Sequence, residues 1–364
     1  MTILYITFIK QGIVDSGSSL RPMRMQEALS ELTDELIVLS GEQSRNRELN
    51  QERLRNIAHV KALIKNKPID LCYIESDTYP ILLEQDYALI KEIIKRKIPT
   101  AYFYRDCYRH PAFKYLVKRK GFVNNLKDLY LDFMQYRTDR LVGKMSMVYF
   151  PSELMSQLFK YKHVGVLPPA IKDYHNYAHE NTNTAIYVGA LSDLYGFDVL
   201  IEAYKTLNQI GNYKLILVCR KAEYAARKQE LEGYSWLEIH HASGDALTPL
   251  YQRASIGLLP RKGAYNEFAV PVKLYEYLAN GLPVISTHAQ EMTKILTENN
   301  VGLSTECNAQ SYAEGIKSVF DQPDVLKGMQ ASIGTFIANG NTWKDRAQKV
   351  IDDCQKIASE TKSA

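Results

Sequence analysis

The sequence predicts an α/β protein built as two Rossmann-like β/α/β domains facing each other across a cleft. Short apolar runs of strand character alternate with amphipathic helical stretches from Ile3 onward, a pattern that implies parallel strands covered by helices. The alternation halts at Pro168-Pro169 and restarts at Ala185. At 364 residues the chain is also long for one core and natural for two. The expected divisions are an N-terminal domain over 1–165, a linker over 166–184, a C-terminal domain over 185–342 and a closing helix over 343–364.

In the first half the strands fall at Ile3 to Ile9, Glu35 to Leu39, Leu71 to Glu75, Thr100 to Tyr104 and Met147 to Phe150. Between them lie helices at about Leu20 to Leu32, Asn46 to Lys65, Glu84 to Lys95 and a long one ending near Arg140. The second half repeats the plan, with strands at Ala185 to Gly189, Lys214 to Cys219, Leu237 to His241, Ile256 to Pro260 and Pro283 to Ser286. Its helices are Phe197 to Asn208, Ala225 to Leu231, Leu247 to Gln252, Pro271 to Asn280, Gln290 to Thr297 and a last pair from Ala309. No fixed-period repeat relates the halves, so architecture repeats where sequence does not.

Hydrophobic residues at 46% and charged residues at 24% are an ordinary globular mixture, which argues against disorder and against a membrane-embedded body. A net charge of +4 makes no demand for nucleic acid, and any basic surface must be local. The start, Met1 to Lys10, has no basic leader or small-residue cleavage site and reads as a strand. No window approaches the ~18 to 20 apolar residues of a spanning helix. A cytoplasmic protein with at most peripheral membrane contact is expected. Cys72, Cys107, Cys219, Cys307 and Cys354 are odd in number and show no ligand spacing, so reduced thiols and no zinc site are expected.

The densest chemistry lies in Pro271 to Ile285. A proline at the first helical position, Gly281 just past the end and Pro283 soon after punctuate a short helix followed by a strand. Lys273, Glu276 and Asn280 share one face of it, Leu274, Tyr277 and Leu278 another. The cation sits where free N–H groups already favour phosphate, and the anion one turn on can accept two hydrogen bonds from a ribose diol. That layout suits a nucleoside diphosphate. The same pair on an ordinary surface helix is worth only a few tenths of a kcal/mol.

The whole run resembles the donor-binding helix of retaining GT-B glycosyltransferases of the GT4 (group 1) type, in which a proline, a lysine and a glutamate precede a small-Gly-x-Pro-Val-Ile tail. The resemblance implies a GT-B fold and transfer of a hexosyl group from a nucleotide sugar, UDP-linked by family frequency, with no cofactor beyond the substrates. It makes Pro271, Lys273 and Glu276 donor-binding residues, with Glu276 at the ribose and Lys273 at the diphosphate. Tyr187 to Leu191 with Gly189, followed by Gly196 to Ala203, resembles the strand, loop and helix before the donor phosphates. Relatives carry arginine where this chain has Ala190 and lysine where it has Tyr195. Positive charge is still needed, because the leaving diphosphate gathers negative charge and losing one preorganised donor costs on the order of 3 kcal/mol. Arg261 and Lys262, after a strand end, are the first substitutes, Arg220 and Lys221 the second. The family's paired glutamates lie eight apart; counting back from Glu276 reaches Phe268, and Glu267, one place off, is the sugar-facing candidate. The Asp-x-Asp pattern for Mg²⁺ is absent, Glu75-Ser76-Asp77 being the nearest, so metal-independent transfer is expected.

In the N-terminal half, Gly12 and Ser16-Gly17-Ser18-Ser19 resemble the family's glycine-bearing loop, with Gly17 the donor contact; an ordinary serine-capped turn reads the same way. Asp106 or His110, in the loop after Tyr104, is placed to orient or deprotonate an acceptor hydroxyl. Between Arg109 and Lys144 basic residues interleave with aromatic and aliphatic ones. This is either a surface for anionic lipid or a core helix with a charged outer face. The favoured reading is a transferase acting on a glycan or lipid-linked saccharide in surface polysaccharide or glycoconjugate synthesis. A non-catalytic GT-B subunit and a sugar-nucleotide epimerase are the alternatives.

Overall fold

The computed structural model describes residues 1–9, 17–43, 47–118, 120–175, 177 and 179–363. The chain divides into two compact units, Met1–Pro168 with Trp343–Ala364, and Pro169–Thr342.

The first unit runs β1 (Thr2–Thr7), α1 (Gly17–Leu32), β2 (Glu35–Leu39), α2 (Arg47–Asn66), β3 (Leu71–Glu75), α3 (Glu84–Lys95), β4 (Thr100–Phe103), α4 (Phe122–Val142), β5 (Met147–Phe150), α5 (Glu153–Ser156) and β6 (Val164–Val166). These strands form one parallel sheet in the order β2-β1-β3-β4-β5-β6. Helices cover both faces of such a sheet, so its strands are apolar throughout: Ile3, Leu4, Tyr5 and Ile6 are all fully buried. Two charged pairs are buried with them. Arg53 grips Asp86 through two hydrogen bonds of 2.7 and 2.9 Å. Arg21 meets Glu75 at 3.2 Å, donates to Leu167 O at 3.0 Å and lies 3.5 Å over the Phe103 ring. Asn46, the expected start of α2, and Gly12 and Ser16 lie outside the described residues.

The second unit runs β7 (Thr184–Val188), α6 (Phe197–Ile210), β8 (Lys214–Val218), α7 (Lys221–Leu231), β9 (Leu237–His240), α8 (Thr248–Arg253), β10 (Ile256–Leu259), α9 (Val272–Ala279), β11 (Val284–Thr287), α10 (Gln290–Glu298), β12 (Gly302–Thr305), α11 (Ala309–Phe320) and α12 (Pro323–Ala338). Its sheet is parallel in the order β12-β11-β10-β7-β8-β9. Two apolar clusters line its faces, one built on α6 and α11, the other on α8, α9 and α10.

The last helix, α13 (Trp343–Ser363), is part of the first unit. It buries Trp343, Val350, Ile351 and Cys354. Asp353 accepts from the Tyr149 hydroxyl at 2.8 Å. Two strands escaped the sequence reading, β6 and β12. The Pro168-Pro169 pair is where the units divide, and Val164–Val166 before it pairs with β5 as the sixth strand of the first sheet.

Candidate functional site

In open parallel sheets a crevice forms where successive strands are added in opposite directions, outside their carboxyl ends, and ligands bind there. In the second unit that point lies between β7 and β10. Ile256 pairs with Ala185 and Gly257 with Ile186. Further along, the Val188 N–H donates to the Tyr277 hydroxyl at 2.8 Å, and that hydroxyl points on to Leu258 O at 3.4 Å. The Tyr277 ring lies on Gly257, where an added Cβ would come within 2.5 Å of it. One tyrosine of α9 thus fixes the helix to the switch point.

Pro271 is the N-cap of α9, with φ −75° and ψ 143°, and Val272 is the first helical residue. This corrects the expected first position of Pro271: its ring fixes φ alone, and an extended ψ leaves it just outside. The N–H groups of Val272 and Lys273 precede the helical ladder, so their donors lie at the positive end of the helix. Lys273 forms an ion pair with Glu276, both side chains about a quarter exposed at 27% and 26%. The Lys273 ammonium contacts Glu276 Oε2, an oxygen that is itself buried, so the two charges compensate each other. The Tyr251 hydroxyl is buried without a hydrogen-bond partner, and burial, followed by the nearby Glu276 charge, pushes its pKa well up.

Arg261 stands at the carboxyl end of β10. Thr287 holds its backbone on both sides, accepting from the N–H and donating to the carbonyl, each at 2.7 Å. Its guanidinium lies 5.0 Å over the ring of Tyr195. Burial raises the pKa of the Tyr187 and Tyr277 hydroxyls, and the Arg261 charge opposes the rise at both. Gly196, at φ +69°, seats the β7–α6 loop directly on β10: a Cβ there would sit 2.8 Å from Pro260 Cβ.

The other expected donor contacts have different surroundings. Lys262 is ion-paired with Asp198 and its carbonyl binds Asn266. Arg220 is 76% exposed and paired with Glu223, one turn along; Lys221 opens α7 and is exposed. The Gly189 N–H continues the ladder to β8, donating to Val218 O at 3.0 Å. Glu267 caps α10, its Oε2 accepting from the Gln290 N–H at 3.0 Å.

In the first unit strand order reverses between β1 and β3. Most of the loop after β1 lies outside the described residues, and Gly17 opens α1. After β3 and β4, Ser76 Oγ accepts from the Arg105 N–H at 2.9 Å and the Thr78 hydroxyl donates to Asp106 at 2.8 Å. Asp77 accepts from the Thr78 N–H at 2.6 Å; burial raises its pKa, and Asp106 adds to the rise against Thr78 and Arg105. His110 turns elsewhere, with its ring 5.3 Å from Phe159 and Nδ1 accepting from the Ala112 N–H at 3.3 Å. The geometry therefore joins Asp106 to Asp77, not to His110. Asp77 drew notice in the sequence only as part of a metal pattern. The sequence places Tyr277 only on the apolar face of its helix, Tyr251 drew no notice, and no local signal marks the pairing of Thr287 with Arg261.

Residues 172–334 match the model of the family Glycosyl transferases group 1. The second unit carries a glycosyltransferase domain of that group. Over its whole length the chain is similar in fold to the sucrose-phosphate synthase of Thermosynechococcus elongatus, at 14% identity and TM-score 0.70, covering 99% of this chain and 100% of that one. It is similar to WaaG, a glycosyltransferase involved in lipopolysaccharide biosynthesis, at 16% identity and TM-score 0.62 over 95% and 98% of the chains. An α-glucosyltransferase solved with UDP gives 11% identity and TM-score 0.62 over 98% and 100%. The fold is GT-B. No curated protein matches the chain in sequence. None of its described helices is long and apolar enough to cross a membrane.

Proposed function

We propose that this glycosyltransferase moves a hexosyl group from a UDP-sugar, with retention and without a metal ion, to a glycan or lipid-linked saccharide in surface polysaccharide or glycoconjugate synthesis. The observation that carries the reading is the Lys273–Glu276 pair, a cation one turn before an anion at the start of a helix fixed on the switch point. Glu276 accepts from the ribose hydroxyls. Lys273, the free N–H groups before α9 and the guanidinium of Arg261 face the diphosphate, whose charge grows as the bond from the sugar carbon to the phosphate oxygen breaks. Arg261 thereby replaces the cations that relatives carry at the positions of Ala190 and Tyr195, and Tyr195 serves as the face on which it rests. Asp106, tied by Thr78 beside Asp77, orients the acceptor hydroxyl. The solved α-glucosyltransferase with UDP and the lipopolysaccharide glycosyltransferase, alike in fold, support this choice of donor and acceptor class.

Incubating the protein with a panel of nucleotide hexoses, with and without a chelator, and following nucleotide release by chromatography tests the reading. Release of UDP, insensitive to chelation and with the released sugar keeping its anomeric configuration, is expected. Turnover of no UDP-sugar, or turnover lost on chelation, would contradict it.

A further inference from the structure

α4 is amphipathic the wrong way round for a core helix. Phe122, Leu126, Leu129, Phe133 and Tyr136, spaced alternately four and three residues apart, form one stripe, and they are 78, 53, 67, 56 and 57% exposed. The buried side of the helix is confined to Met134, Thr138, Leu141 and Val142, near its C-terminal end. Tyr115 and Leu116, in the helical turn just before α4, add exposures of 60 and 44%. An apolar stripe of this extent on the outside of a protein marks an interaction surface.

Its charge says what it meets. Residues 109–144 hold nine Lys and Arg against three Asp, a surplus of six in a chain whose total is only +4, so the remainder is net negative. The three aspartates are engaged internally: Asp128 and Asp132 by Arg109 at 3.1 and 3.0 Å, and Asp139 by the Tyr104 hydroxyl at 3.0 Å. Lys114, Lys118, Lys120 and Lys127 are exposed around the stripe. We propose that the α4 face docks on an anionic lipid bilayer, with the stripe sunk to the acyl boundary and the lysines among the headgroups. Stripe-on-stripe pairing with a second copy would bring two such positive surfaces together, which is unfavourable. The docking does not depend on the donor chemistry proposed above.

The test is flotation of the full chain with phosphatidylcholine vesicles, either plain or containing roughly a third phosphatidylglycerol. The chain should float with the anionic vesicles, stay behind with the neutral ones, and detach in high salt as charges are screened. Replacing Leu126, Leu129 and Phe133 together by serine, or Lys114, Lys118, Lys120 and Lys127 together by glutamine, should weaken partition by about tenfold or more. Circular dichroism and unchanged nucleotide-sugar hydrolysis would show that both variants are folded. Failure of the parent protein to float with anionic vesicles would overturn the proposal. So would undiminished flotation of either folded variant, or a dimer in light scattering that the serine variant alone dissolves.

Discussion

Tyr277 ties α9 to β7 through a single hydroxyl. Removing it as Tyr277→Phe leaves the Val188 N–H buried and unpaired, and should cost about 1–3 kcal/mol in denaturant unfolding. Gly257→Ala should cost a similar amount by another route, because its new Cβ would press on the tyrosine ring. The two cations of the β10 loop should separate in kinetics. Arg261→Ala removes the cation proposed to face the diphosphate and is expected to lower kcat by about a hundredfold, whereas Lys262→Ala, which breaks the pair with Asp198, should leave kcat within about threefold. Equal losses in steady-state assays would show that Lys262 also faces the diphosphate. Helical spacing correctly placed Tyr277 on the buried face of α9. It said nothing of the hydroxyl, whose partner lies 89 residues away and depends on β7 and β10 parting.

Elements with strong local punctuation were legible. α9, bounded by Pro271 and Gly281, shifts by one residue at its start because proline constrains φ and leaves ψ to the chain. β6 and β12 were not legible, since Val164–Val166 is three residues beside a proline pair and Gly302–Thr305 is half polar. Both are edge strands, where burial on two faces no longer enforces an apolar run. The opposite edge of the second sheet, β9, gives a pH prediction. Arg253 first, with help from His240, holds the Glu238 carboxyl down at about 2. A depressed pKa stabilises the fold above the ordinary carboxylate range near 4.3 and loses that contribution as pH falls toward 2. The contribution is small because the pair is half exposed. Arg253→Ala should flatten the acid limb of a thermal-melting profile between those values without moving its neutral plateau by more than a degree or two.

At the scale of the whole molecule, the alternation of strands and helices made two doubly wound sheets legible, because parallel strands must be apolar along their length. Which polar residues meet at the carboxyl ends of the strands was only partly legible, as Asp77 with Asp106 through Thr78 and Thr287 with Arg261 show; such pairs come from neighbouring strands and carry no shared local pattern. The C-terminal helix belongs to the first unit, so a chain ending at Thr342 should lose stability there. Burial of Trp343, Val350 and Ile351 is worth about 1.5–3 kcal/mol each, and hydrogen exchange should therefore rise in α1 and β3 while β7 and β10 stay protected. The role of Glu276 as the nucleotide's ribose acceptor is tested most directly by calorimetric titration of UDP into the parent protein and into Glu276→Ala. The parent should bind without added metal, and the variant, still folded, should bind roughly 10- to 100-fold more weakly. Equal affinity in the two, or no binding of UDP to the parent, would contradict it.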